Sequence, residues 1–324
     1  MAKEQGRFTG KTIGNYNIRQ LLGRGRFGEA YKADFLIHQN TPVVVKFLLD
    51  ASNPKQLEEF LREARTQAKL DHPNIVPFYH YDVYENPSEK IPYIVMAFAN
   101  NKSIKEQINR QKLLPFDQAI GYLAQTAEGL EYAHSKKVLH RDLKPANLLL
   151  HKERASQQAV VWLSDFGIAI TAHRLDTAKV DLTKQAVIGS WQYMSPEQFK
   201  GNARIPSDIY SLGIIAYLLL TGDLPFPIDK SKFTNPFDLM MAFYNAHEKT
   251  PVPSFEQTRR RHGYDMTLPV GELEEVVTKA LAKEPKDRYQ SAGDFHDNLE
   301  RTYRKALEKE AENKRILVMQ IAEV

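Results

Sequence analysis

The sequence carries an acid and two oxygen donors at a spacing that could move a phosphoryl group. The run His140-Arg141-Asp142-Leu143-Lys144-Pro145-Ala146-Asn147 is followed by Asp165-Phe166-Gly167. Asp142 can take a proton from a hydroxyl nucleophile, while Asn147 and Asp165 offer the hard oxygen ligands that Mg²⁺ prefers. Phosphoryl transfer asks for that pairing, because the reaction is mostly positioning plus neutralisation of developing charge. A third feature lies upstream, where Lys46 interrupts the apolar run Pro42-Val43-Val44-Val45-Lys46-Phe47-Leu48. A lysine on a buried strand needs a carboxylate or a phosphate as partner, which marks it as functional.

The elements that must position these residues can be read from periodicity. Tyr16, Ile18 and Leu21 alternate as a half-buried strand does and lead into Gly23-Arg24-Gly25-Arg26-Phe27-Gly28,. Glycines let a backbone approach phosphate oxygens without an intervening side chain. Alone, the pattern fits an ordinary hairpin turn equally well, and a dinucleotide-binding turn would set its last glycine at the start of a helix. Glu29-Ala30-Tyr31-Lys32-Ala33 continues as strand instead, so the turn joins two strands as a nucleotide flap would. Residues 54–70 place Leu57, Phe60, Leu61, Ala64 and Ala68 at helical spacing, with Glu63 at the edge of the apolar face,. Residues 75–84 and 92–98 read as two more strands. Helices follow: Ser103 caps 104–109, and 116–136 carries the stripe Ile120, Leu123, Ala127, Leu130 and Ala133,. Leu148-Leu149-Leu150 suits a strand beneath a nucleotide, 151–158 reads as an exposed hairpin tip, and Val160-Val161-Trp162-Leu163 delivers Asp165. Ser207 is placed as the cap of the most apolar helix, ending at Leu220, and residues 272–283 and 291–309 read as further helices.

This order of motifs resembles the protein kinase family over residues 14 to about 300,. The strings Tyr193-Met194-Ser195-Pro196-Glu197-Gln198 and Lys279-Ala280-Leu281-Ala282-Lys283 to Arg288-Tyr289 resemble bacterial serine/threonine kinases of the eukaryotic type. The resemblance implies an α+β, two-lobed protein kinase fold: a small antiparallel sheet with one main helix, and a larger, mostly helical lobe. Its expected divisions are a mobile leader 1–12, an N-lobe 13–98, a C-lobe 99–300 and a helical tail 301–324. Gly23, Arg24, Gly25 and Gly28 would cover the phosphates of ATP, Lys46 would hold them, and Glu63 would aim Lys46. Ala30 and Val44 would roof the adenine, exchanging the family's usual Val and Ala at nearly conserved volume. Met96 would guard the back of the pocket, Ala97 and Ala99 would offer backbone groups to the adenine edge, and Leu149 would lie below. The crossover Asn100-Asn101-Lys102 departs from the Gly and acidic residue usual in relatives.

For the chemistry, the resemblance implies Asp142 as base, Lys144 steadying the transferring phosphate, and Asn147 and Asp165 holding Mg²⁺. Ser190, where relatives show Thr, would bridge Asp142 and Lys144. Asp208 would hold the catalytic loop, and Arg288 would pair with Glu197. Arg141 implies an activation segment, within residues 168–189, ordered by its own phosphorylation at Thr177 or Thr183. The implied activity is transfer of the γ-phosphate of ATP to Ser/Thr hydroxyls of proteins, with self-association for autophosphorylation. The alternative is a silent ATP-binding pseudokinase scaffold, which loss of Lys46, Asp142, Asn147 or Asp165 would favour; all four are present. A small-molecule kinase would lack the segment ending at Ser195-Pro196-Glu197.

Bulk properties narrow the setting. A formal charge of +4 over 324 residues argues for neither nucleic acid nor a membrane surface as partner,. The run Arg259-Arg260-Arg261-His262 is read as a solvated loop. The absence of Cys removes disulfides, thiolate nucleophiles and Cys-ligated zinc, and fits a reducing compartment,. No stretch is long and apolar enough for a spanning helix, so the expectation is a cytoplasmic kinase, free or excised from a longer receptor.

Overall fold

The computed structural model describes residues 6–25, 28–38, 41–87, 89–153, 158–166, 189–264 and 269–322. The amino-terminal strands are β1 (Thr12–Ile13), β2 (Tyr16–Arg24), β3 (Gly28–Phe35), β4 (Thr41–Leu48), β5 (Phe78–Asn86) and β6 (Glu89–Ala97). They form one antiparallel sheet in the order β1-β2-β3-β4-β6-β5. Successive side chains of a strand point to opposite faces. The register sets Ala30 opposite Lys46, Lys46 opposite Ile94, and Val44 opposite Met96, so these five share one face. Tyr31, Val43, Val45, Phe47, Tyr93 and Val95 form the other, which is buried. Helix α1 (Pro54–Gln67) packs Phe60 and Ala64 against Leu48 and Ile94. Asn53 caps it by accepting the Lys55 and Gln56 N–H groups, and Pro54 opens it,.

Residues 6–12 depart from the expected mobile leader. Phe8 is 1% exposed, its ring stacks on Phe47 at 4.2 Å, and its N–H donates to the Tyr31 hydroxyl at 3.1 Å. The far face of the sheet needs an apolar cover, and Phe8, together with Ile13 of the short edge strand β1, provides it,.

The second lobe contains α2 (Ile104–Gln111), α3 (Phe116–Ser135), the hairpin β7 (Leu148–His151) and β8 (Val160–Leu163), α4 (Pro196–Phe199), α5 (Ile205–Thr221), α6 (Pro236–Lys249), α7 (Phe255–Arg261), α8 (Glu274–Ala280) and α9 (Ala292–Ala322). Ser103 caps α2 reciprocally: Glu106 N–H donates to its hydroxyl, and its own N–H donates to the Glu106 carboxylate at 3.1 Å,. Helix α5 is apolar on nearly every side and buried along its length, as a helix at the centre of a lobe must be,.

Three other expectations change. Helix α5 begins at Ile205, so Ser207 lies inside its first turn rather than at the cap. Its hydroxyl accepts the Arg204 N–H at 3.0 Å and donates to Glu197 at 2.5 Å. Pro206 suits a first turn, where a missing N–H costs nothing. The arginine run lies on α7 and is only partly solvated: Arg260 and Arg261 are exposed, but Arg259 is 1% exposed and donates to the Leu220 carbonyl at 2.7 Å. Helix α9 passes residue 300 without a break, and beyond that point Tyr303 still donates to Asp117 at 2.8 Å and Ala306 is buried.

Candidate active site

Lys46 enters from β4 on the face shared with Ala30 and Val44. Its ammonium lies 2.5 Å from Glu63 Oε1 of α1 and 3.1 Å from Asp165 Oδ1 beyond β8. Burial alone would weaken protonation of Lys46, but the two carboxylates outweigh it and hold the ammonium above its usual range,. Burial likewise opposes ionisation of Asp165. The adjacent ammonium more than offsets that, so its carboxyl lies below the usual range. Asp165 takes φ 61°, a left-handed backbone that Asp tolerates better than most side chains,. Phe166 behind it is fully buried, with its ring 4.7 Å from that of His140.

The acid itself sits on the loop between α3 and β7. Asp142 Oδ2 accepts from Lys144 Nζ at 2.7 Å and from Asn147 Nδ2 at 3.2 Å, and Lys144 also donates to Ser190 Oγ at 2.9 Å. Lys144 therefore links the acid to the start of the segment before α4. Asn147 commits its amide NH₂ to the Asp142 carbonyl and carboxylate. Its Oδ1 is left as the atom to meet a cation. An amide oxygen beside an ionised carboxylate is the donor set that Mg²⁺ takes together with phosphate oxygens, so the residues fit the ion.

Asp208 fixes the loop from behind. From α5 it accepts the His140 N–H at 2.8 Å, the Arg141 N–H at 2.7 Å and His134 Nε2 at 2.8 Å. Burial opposes its charge, yet the His134 hydrogen bond and the backbone donors hold its carboxyl below the usual range. Those bonds hold Arg141 at φ 64°, a conformation costly for a residue with a side chain,. Gln198 Nε2 adds a bond to the Arg141 carbonyl at 3.0 Å. Further out, Arg288 forms a two-pronged pair with Glu197, NH1 to Oε1 at 2.8 Å and NH2 to Oε2 at 2.9 Å.

The remaining expected residues fall around these groups. Ala30, Val44 and Met96 share the Lys46 face and are half-buried. Leu149 pairs with Trp162 and points opposite to the buried Leu148 and Leu150. The Ala97 N–H is taken by the Pro77 carbonyl at 2.9 Å, so of this pair of residues the N–H left to meet an adenine edge is that of Ala99. At the crossover, Asn100 exchanges two hydrogen bonds with the Lys152 backbone, and Lys102 adopts φ 65°, in the left-handed region that favours glycine,. Gly23 and Gly25 border open space, but Gly28 is required by packing, since a Cβ there would overlap the Phe47 carbonyl oxygen. The Arg24 side chain pairs with Glu29 at 2.8 Å on the face away from Lys46, so its expected part in covering phosphates would fall to its backbone. Gly167, Thr177 and Thr183 lie outside the described residues.

Several supporting residues escaped the sequence reading. Asn74 donates to the Val161 carbonyl at 3.2 Å and its own carbonyl accepts the Leu163 N–H at 2.8 Å, tying the loop after α1 to β8. Glu29, His134 and Gln198 also act from buried positions. The available signal was a polar residue at an apolar phase of a strand or helix, as with His134 one turn after Leu130.

The family model described as "Protein kinase domain" matches residues 16–302. Serine/threonine-protein kinase PknB of Mycolicibacterium smegmatis is 35% identical over 292 residues, covering 89% of this chain and 43% of that protein. Serine/threonine-protein kinase PrkC of Bacillus subtilis is 31% identical over 297 residues, covering 91% and 41%. The chain thus spans less than half the length of these relatives. Among solved structures, the PknI kinase domain of Mycobacterium tuberculosis superposes with a TM-score of 0.62 at 24% identity, covering 90% of this chain and 97% of that one, a likeness of fold. With its two lobes, its Lys46–Glu63 pair and its acid loop, the chain belongs to the protein kinase family.

Proposed function

We propose that this chain is a serine/threonine protein kinase that transfers the γ-phosphate of ATP to Ser/Thr hydroxyls of proteins, its own activation segment included. The observation that carries this reading is the Asp142–Lys144–Ser190 chain of hydrogen bonds set beside Asn147. Asp142 presents its second carboxylate oxygen to a substrate hydroxyl, orients it and accepts its proton. Lys144, already beside the acid, steadies the charge that builds on the transferring group. Lys46, aimed by Glu63, holds the α- and β-phosphates. Asn147 Oδ1 and the Asp165 carboxylate would hold Mg²⁺, which would supply neutralisation of phosphate charge. Lys144 in this loop and Gly189-Ser190 after the activation segment support Ser and Thr over Tyr as acceptors. The PknB and PrkC relatives carry the same serine/threonine designation.

Phosphosite mapping of the purified chain after incubation with ATP and Mg²⁺ tests the reading. Phosphoserine and phosphothreonine, including Thr177 or Thr183, are expected in the wild type and absent from Lys46→Met. Phosphotyrosine alone, or an unmodified activation segment in a chain that phosphorylates other proteins, would contradict the acceptor class or the regulatory assignment respectively.

A further inference from the structure

The strand that follows the glycine turn carries a buried acid which the reaction scheme above leaves unused. Glu29 sits between Gly28 and Ala30, and the pleat sends it to the face opposite Lys46, where it is 3% exposed. A carboxylate there must be matched by donors. One oxygen accepts from Arg24 Nε at 2.8 Å, across the last rung of the β2–β3 ladder before the turn. The other accepts the Tyr31 hydroxyl and the Arg7 N–H, the latter at 3.2 Å. Tyr31 in turn accepts the Phe8 N–H. Burial raises the Glu29 pKa, and the hydrogen bonds from Tyr31, Arg24 and Arg7 outweigh it, so the group is ionised.

Three pieces of chain therefore meet at one carboxylate: the two strands that carry the glycine turn, and residues 6–13. That amino-terminal segment is anchored independently, by the Arg7 side chain on Glu89 and by the Phe8 ring between Tyr31 and Phe47. Phe47 is the neighbour of Lys46. The acid that fixes Arg24 is thus itself fixed by a segment outside the sheet's main strands.

We infer that Glu29 is a positioning residue for nucleotide binding, and that through it residues 6–13 set the strand ends that flank the ATP phosphates. The inference rests on the kinase reading for its catalytic consequence, but not for its binding consequence. Loss of the carboxylate removes the anchor that the Arg24 side chain and the Arg7 N–H share, and the glycine-bearing strand ends lose part of what fixes their spacing over the nucleotide.

The test compares Glu29→Gln, a deletion of residues 1–10, and the two combined, each assayed well below its own melting temperature. KM for ATP is expected to rise about tenfold in each single variant, with kcat within about twofold. The combined variant should raise KM by less than the product of the two single effects, because both remove the Arg7–Glu29 contact,. Arg24→Gln, on an exposed side chain, provides a second route should Glu29→Gln fold poorly, and should raise KM in the same sense. A KM for ATP that stays at the wild-type value while the melting temperature falls would reduce Glu29 to a structural role and overturn the proposal. Additive effects of the deletion and Glu29→Gln would overturn the coupling. ATP dissociation constants measured without turnover read the same clamp even if the wild type transfers no phosphate, which separates failure of this proposal from failure of the kinase assignment.

Discussion

Asp142→Asn is expected to lower kcat for phosphate transfer by about 10²- to 10⁴-fold, the range of a lost general base. The change is nearly isosteric, so the loop should keep its shape: Asp208 still accepts the His140 and Arg141 N–H groups, and Asn147 still donates to the residue 142 carbonyl. What goes is the charge that faces Lys144 at 2.7 Å and the oxygen able to take a proton. The contacts among Lys46, Glu63 and Asp165 are untouched, so under the proposed assignment ATP affinity should stay within about threefold. Rapid-quench measurement of the transfer step beside an ATP titration separates the two effects. Wild-type kcat in this variant would remove Asp142 from the chemistry.

The second large effect is on stability. Arg288→Ala should cost about 3–5 kcal/mol, since it leaves the Glu197 carboxylate buried without its cation. The Arg288 side chain is fully buried, and besides Glu197 it bonds the Ala282, Lys283 and Pro206 carbonyls, so three acceptors are orphaned with the acid. At roughly 2–4 °C per kcal/mol for a chain of this order of size, the melting temperature should fall by about 10 °C. The pH dependence gives the loss a signature. In the wild type, burial opposes the Glu197 charge, but Arg288 and Ser207 hold its carboxyl below the usual range. The pair's contribution is therefore complete above the ordinary carboxylate range and lost as pH falls through the depressed value. In the variant the unpaired acid has a raised pKa and becomes easier to bury once protonated. The stability gap between the two proteins should accordingly narrow as pH falls through the ordinary carboxylate range and below it. A gap that does not change with pH would show that packing, and not the charge pair, holds α4 to the loop before α9.

Much of this architecture was legible in the residues, for a physical reason. Groups that must converge on a phosphate are charged or polar and stand out in apolar surroundings: Lys46 in a valine run, Asp165 after Val160-Val161-Trp162-Leu163, Asp208 at the head of the most apolar helix. The strand alternation that put Ala30, Val44, Lys46 and Met96 on one face follows from the pleat alone. What escaped was decided by tertiary need. Phe8 lies in a Gly-bearing polar stretch with no period, and nothing local says that the far face of the sheet requires a cover. Arg24 belongs to the glycine motif, but the rung it shares with Glu29 turns its side chain to the sheet face away from Lys46. Ser207 has the chemistry of a helix cap, and the helix starts earlier because Pro206 can occupy a first turn and Glu197 takes the hydroxyl. Arg259 sits in a basic run that reads as solvated, while the end of α5 offers it a carbonyl at Leu220.

The PknB and PrkC relatives exceed this chain more than twofold in length, and among the described residues no helix is long and apolar enough to cross a membrane. The decisive question is therefore put to the chain itself: the initial rate at which label passes from γ-labelled ATP to protein, with Mg²⁺ and again with the metal chelated. Mg²⁺-dependent incorporation into serine and threonine is the predicted result, and chelation should abolish it. No incorporation under either condition, with ATP still raising the melting temperature, would contradict catalysis and leave a nucleotide-binding scaffold.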